Sequence, residues 1–253
     1  VAATVFYVEA LPDGGVAELT GPDGHHAARV LRLRVGEKIV LSDGVGGLAS
    51  SVVSAVDRDT VSLDVVSRKA ADRVRPAVTV VQALPKSERA ELAVDLAVEA
   101  GADVLIPWQA SRSITQWKGE KATAGARKWQ AVARSAAQQA RRPYLPIVSD
   151  LVSTKQLVEQ VRVFDGLVLA LHESAATRMA DVDLDVPAVM LIVGPEGGIA
   201  DGEIASLREA GAVPVLLGPN VLRSVTAASV ALGAIGVRTG RWDTAPVEWS
   251  DRV

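Results

Sequence analysis

Cysteine is absent from the 253-residue chain. That excludes disulfides, thiolate nucleophiles and cysteine-ligated zinc. A disulfide-free chain suits the cytoplasm, which is the expected location. Aromatic residues are scarce, with two Phe and two Tyr, so the core must come from Val, Leu, Ile and Ala within an apolar fraction of 49%. No apolar run approaches the roughly 20 residues of a membrane helix. Residues 1–20 hold Glu9, Asp13 and Glu18 without a basic stretch, so no secretory signal is expected. Histidine is also sparse: His25 and His26 are adjacent and far from His172, and no metal site is expected.

Net charge is −3, which as a total argues mildly against a nucleic-acid binder. The distribution argues the other way. Residues 107–146 carry eight Lys/Arg against one acid, whereas residues 147–253 carry eight against fourteen. Screening confines charge effects to about 10 Å, so a local basic stretch matters more to RNA phosphates than the sum.

Residues 1–73 read as short strands with turn punctuation: Thr4 to Val8, Lys38 to Leu41, Leu48 to Val56 and Thr60 to Val66, with a possible short helix over His25 to Leu33. Such a pattern predicts a small β-barrel. Ser67 to Pro76, basic with one acid and a proline, reads as a linker. From residue 74 to 253 the period changes to that of an α/β domain with a mostly parallel sheet. Buried-strand runs are Ala77 to Leu84, Val104 to Ile106, Gly166 to Leu171, Ala188 to Val193 and Val213 to Leu217. Helices are predicted over Ser87 to Ala100, Ala122 to Arg142 and Ser224 to Val237.

Three strand ends carry chemistry. The first is Gly194-Pro195-Glu196-Gly197-Gly198 after a buried strand. Glycines let a backbone approach a ligand closely, and ligands of α/β sheets bind at the carboxyl edge. An ordinary tight turn is equally compatible with the sequence. The spacing is neither that of a dinucleotide fold nor that of a P-loop, so a nucleotide-phosphate enzyme is disfavoured. The second runs from Leu217-Gly218 to Arg223 before an Ala/Val-rich helix that Ser224 or Thr226 is expected to cap. Arg223 at the positive end of that helix is either solvent-facing or waiting for an anion. The third ends in Leu171-His172-Glu173. His172 is either structural or an acid–base group.

Together these segments resemble the cofactor loops of knotted SPOUT methyltransferases, and specifically the 16S ribosomal RNA uracil-N3 methyltransferase family. The likeness extends to Lys86-Ser87-Glu88-Arg89, Gly101 to Pro107, Ser111-Arg112-Ser113, Gln138-Gln139 and Arg141-Arg142. In the first domain, His25-His26, Val30 to Leu33 and Gly36 are similar to that family's PUA-like RNA-binding module. Val225 departs from the pattern, since an acid is usual there, and Ala137-Gln138 replaces a Glu-containing pair.

The resemblance implies a trefoil knot, a homodimer and S-adenosylmethionine as cofactor. It implies contacts from Leu171, His172, Glu173, Gly194, Glu196, Gly198, Leu217, Gly218, Val221, Leu222, Arg223 and Ala227. The expected reaction is methylation of N3 of a uridine in the small ribosomal subunit. Glu196 and His172 are candidate bases, and Arg223 is the candidate for stabilising the uracil anion. RNA contacts are expected from Arg29, Arg32, Arg34, Arg112, Arg141 and Arg142, with Trp117 and Trp129 either stacking on bases or packed inward. The alternative is a non-catalytic RNA-binding assembly factor with a degenerate cofactor pocket.

Overall fold

The computed structural model describes residues 4–86 and 89–251. Ser87 and Glu88, expected at the start of a helix, lie outside the described residues. The chain divides into two compact units, one of residues 1–73, 138–145 and 245–253, the other of residues 74–137 and 146–244.

The first unit is a curled, open half-barrel. Its strands are β1 (Thr4–Tyr7), β2 (Val16–Leu19), β3 (Lys38–Ser42), β4 (Gly47–Val56) and β5 (Val61–Ala70), in the order β1-β3-β4-β5-β2. β1 runs parallel to β3, and the other pairs are antiparallel. Register shifts leave Ser54 of β4 and Val66 of β5 unpaired, and an extra residue of this kind bends its strand and increases local twist. Phe6, Leu19, Ile39, Leu41, Val53 and Leu63 fill the concave side. The predicted linker is in part strand, since β5 continues to Ala70. The helix expected over 25–33 is instead a short α-helix, α1 (Gly21–His25), followed by one π-turn over His26–Val30.

Two later segments complete this unit. The Tyr144 hydroxyl donates to the Ala71 carbonyl at 2.7 Å, and the Leu145 amide donates to Gly44 at 2.8 Å. Trp249 donates its indole N–H to the Ser51 carbonyl at 3.0 Å, while the Lys38 ammonium lies 3.8 Å from its ring centroid.

The second unit is a parallel α/β sheet. Its strands are β6 (Ala77–Ala83), β7 (Val104–Gln109), β8 (Ile147–Val148), β9 (Val152–Ser153), β10 (Leu167–Leu171), β11 (Thr177–Arg178), β12 (Ala188–Val193) and β13 (Val213–Leu216). Their order is β11-β13-β10-β12-β6-β7-β8, with β9 also on β7. The helices are α2 (Ala90–Glu99), α3 (Glu120–Gln139), α4 (Thr154–Val163), α5 (Asp201–Glu209) and α6 (Ser224–Arg238). Strands covered on both faces read as continuous apolar runs, and β12 is buried from Val189 to Val193. α3 stops short of Pro143 because Arg141 turns left-handed at φ 55°.

Arg241 closes the amino end of this sheet. It is 6% exposed, donates to the carbonyls of Gly101 and Pro76, and pairs with Asp103 at 3.0 Å. Asp103 also accepts the Val78 amide at 2.8 Å. Removing the guanidinium strands two carbonyls and a partly buried carboxylate. Arg241→Met is expected to lower stability by about 3 kcal/mol in chemical denaturation.

Candidate active site

Parallel pairing decides the site. β13, β10 and β12 are consecutive neighbours, so their carboxyl ends emerge side by side. The three following loops enclose a cavity of about 660 Å³. The loop after β10 contributes Leu171, His172 and Glu173; the loop after β12 contributes Gly194, Glu196 and Gly198. The loop after β13 contributes Leu217, Gly218, Val221, Leu222 and Arg223, and α6 adds Ala227. The structure therefore gathers every position expected to touch a cofactor around one space. The volume lies in the range of about 300–1,000 Å³ usual for small-molecule sites.

The glycine turn is held from several sides. Gly198 has φ +72°, and its amide donates to Pro195 at 2.9 Å. A Cβ on Gly194 would come within 2.7 Å of Ile199 Cγ1, so packing demands glycine there. The Arg112 guanidinium donates to the Gly197 carbonyl at 3.1 Å, and the Lys86 amide donates to Glu196 Oε1 at 3.2 Å. The Ser224 hydroxyl donates to the Gly194 carbonyl at 2.6 Å and accepts from buried Gln82 at 3.0 Å. A Cβ on Gly218 would meet nothing within 4 Å, which leaves that backbone open to a ligand.

Neither Ser224 nor Thr226 is the N-cap of α6. Arg223 occupies that position, because the Ser224 hydroxyl is committed to Gly194. The Arg223 carbonyl accepts the Thr226 and Ala227 amides, both at 3.0 Å. Its side chain is exposed at the cavity, a cation at a helix end that favours anions. His172 Nδ1 accepts the Ser174 amide at 3.2 Å. Val225 is 5% exposed and is not among the residues that line the cavity.

The arginines expected on RNA are divided. Arg112 sits in the second unit at the cavity rim; Arg29, Arg32, Arg34, Arg141 and Arg142 belong to the first. Arg29 is tied to Asp59 and to the Arg58 carbonyl, both at 3.1 Å. Arg32 and Arg141 each adopt φ 55°, a left-handed backbone that glycine takes more readily. Trp117 and Trp129 pack edge to face at 5.3 Å with Trp129 1% exposed, so the inward-packed alternative holds for Trp129.

Glu203 escaped the sequence reading. It lies in the first turn of α5, is 8% exposed and accepts four hydrogen bonds. Oε1 takes the Ser111 amide at 2.9 Å and the Thr154 hydroxyl at 2.7 Å; Oε2 takes the Ser111 hydroxyl at 2.8 Å and the Ala200 amide at 3.2 Å. Burial by itself raises the carboxyl, but the bonds from Thr154, Ser111 and Ala200 outweigh it and hold it below its ordinary value of 4.5.

Comparison with known proteins agrees with this geometry. Residues 73–236 match the family described as RNA methyltransferase domain, and residues 19–66 match the RNA methyltransferase PUA domain. Ribosomal RNA small subunit methyltransferase E of Mycobacterium tuberculosis is 53% identical over 246 residues, spanning 95% of this chain and 94% of its own. The protein of the same name from Bacillus subtilis is 32% identical, spanning 87% and 90%. A putative methyltransferase from Legionella pneumophila, solved with bound SAM, superposes with TM-score 0.83 at 29% identity, covering 94% of this chain and 98% of that one. Ribosomal RNA small subunit methyltransferase E from Neisseria gonorrhoeae, solved with S-adenosyl methionine, gives 0.83 at 25% identity, with coverage of 94% and 98%.

The lowered Glu203 carboxyl fixes the sign of a pH effect. A depressed folded value contributes stability above the unfolded value, and that contribution is lost as pH falls through the folded one. The wild type is expected to lose stability on acidification below pH 4.5, the ordinary value. Glu203→Gln should be about 1–3 kcal/mol less stable at pH 7 and show a shallower loss over the acid window, read by denaturant melts at each pH.

Proposed function

Since the chain belongs to the ribosomal RNA small subunit methyltransferase E family, we propose that it methylates N3 of a uridine in 16S ribosomal RNA, using S-adenosylmethionine. The observation that carries this reading is the convergence of three adjacent strand ends on one cavity lined by the loops that follow them. The open backbone at Gly218 and the left-handed Gly198 suit a ligand gripped through main-chain atoms. S-adenosylmethionine, when bound, supplies an electrophilic methyl group on a sulfonium.

The residues divide the remaining work. The loops of Leu171 to Glu173, Gly194 to Gly198 and Leu217 to Arg223 hold and orient the cofactor, which accounts for rate through alignment. Uracil N3 carries a proton that must leave. In this reading the base is Glu196, since the Ser174 amide occupies His172 Nδ1. The Arg223 guanidinium stabilises the charge that develops on the uracil.

RNA is held by Arg29, Arg32, Arg34, Arg112, Arg141 and Arg142 in this reading. Left-handed arginine costs about 1–2 kcal/mol, and a guanidinium kept at that cost at both Arg32 and Arg141 supports a phosphate-binding role. The reading includes a trefoil knot around the cavity, a cytoplasmic location and a homodimer. Val230 and Val237, 46% and 70% exposed on one face of α6, support the dimer.

Incubation of purified small ribosomal subunits with labelled S-adenosylmethionine, followed by nucleoside mass analysis, is expected to yield one N3-methyluridine. No incorporation, with no cofactor binding by calorimetry, would leave the assembly-factor alternative. Gly198→Trp should abolish cofactor binding in a folded protein; retained affinity refutes the placement of the cofactor. Arg32→Gly and Arg141→Gly should each leave stability unchanged or raised by up to about 1 kcal/mol, yet lower the salt slope of RNA binding by about 1. An unchanged slope removes these arginines from the interface.

A further inference from the structure

We propose that Glu203 is a positioning residue, which sets Arg112 against the glycine turn by fixing the loop after β7. The inference rests on the methyltransferase reading but concerns residues that reading leaves without a role. As a helix-end group, Glu203 needs only its bond to the Ala200 amide. Its other three bonds go elsewhere: two to Ser111, through both backbone and hydroxyl, and one to Thr154 at the start of α4. A carboxylate this buried accepts that many donors when it organises the chain around it.

Within the loop the Ser113 amide donates to the Ala110 carbonyl at 3.0 Å, and the Gln109 carboxamide donates to the Thr115 carbonyl and accepts the Trp117 amide, but none of these bonds reaches Arg112 itself. Ser113, 5% exposed, leaves its hydroxyl without a partner. Arg112 follows the doubly held Ser111 directly, and its aliphatic stem fits the turn closely. A Cβ on Gly197 would lie 3.4 Å from Arg112 Cβ, and one on Gly198 would lie 4.0 Å from Nη1. One guanidinium bond goes to the Gly197 carbonyl. Among the described residues its other N–H groups have no partner, and they border the cavity. Glu203 thus fixes Ser111, Ser111 fixes Arg112, and Arg112 braces the turn while presenting N–H donors to oxygen acceptors on the RNA substrate.

Glutamine cannot replace this carboxylate fully. The Ser111 and Ala200 amides sit on opposite oxygens, and a carboxamide has only one acceptor oxygen. The test is a double-mutant cycle in kcat/KM for methyl transfer to small ribosomal subunits. Arg112→Ala and Glu203→Gln are each expected to lose about tenfold or more, the scale of one charge-assisted hydrogen bond. The double variant should be no worse than Arg112→Ala alone. Thr154→Val, which removes a bond to the same carboxylate away from Arg112, should lower the melting temperature while leaving kcat/KM near wild type. Multiplied losses in the double variant overturn the proposal, as does a Thr154→Val enzyme that loses as much activity as Glu203→Gln. If Glu203→Gln does not fold, Ser111→Ala takes its place in the cycle. A wild type that transfers no methyl group defeats the proposed function instead. The coupling is then read in hydrogen exchange of the Gly198 amide, which Glu203→Gln and Arg112→Ala should both speed up; unchanged exchange overturns the positioning role.

Discussion

The parallel pairing of β10 with both β12 and β13 is the constraint on which the site depends. Leu169 pairs with Leu191 on one side and Val213 on the other, so the three strands run in step. Strands in step end together. Three loops distant in sequence then share one edge. The apolar runs that hold the strands in register therefore also fix the spacing of the loops, and core packing becomes site geometry.

A pocket lined by three turns has a chemical consequence. Main-chain amides and carbonyls are present whatever the side chains are, so affinity for a ligand rests on turn shape. Turn shape rests in turn on a few side-chain bonds behind the loops. Ser224 on the Gly194 carbonyl, Gln82 behind Ser224, and Arg112 on the Gly197 carbonyl are such bonds. Ser224 and Gln82 thus place their polar groups on the shape of the turn.

This division explains what was legible in the sequence. Ala188 to Val193 was visible as a strand because both faces are buried and every residue is apolar. The three cofactor-loop segments were visible because glycine, proline and charge punctuate those strand ends. β2 was not, since Val16 is 65% exposed and the four residues carry little pattern. The end of β5 was read as linker because Arg68, Lys69 and Ala70 are all exposed and carry no alternation of buried and exposed positions. Glu203 was invisible for another reason. Its partners Ser111 and Thr154 stand 92 and 49 residues away, and Gln82 is 142 residues from Ser224. Local patterns do not encode pairs that only the folded chain brings together.

The segment at 245–251 has one more implication. Val247 and Trp249 cover Val5, Val40 and Leu48, and the Ser67 hydroxyl donates to the Ser250 carbonyl at 2.5 Å. The strands of the half-barrel all precede the α/β sheet in the chain, yet part of their cover follows it. During synthesis those valines and that leucine must wait, without this cover, until the α/β domain between has been made. A unit whose strands are translated before the α/β domain is thus completed only after it.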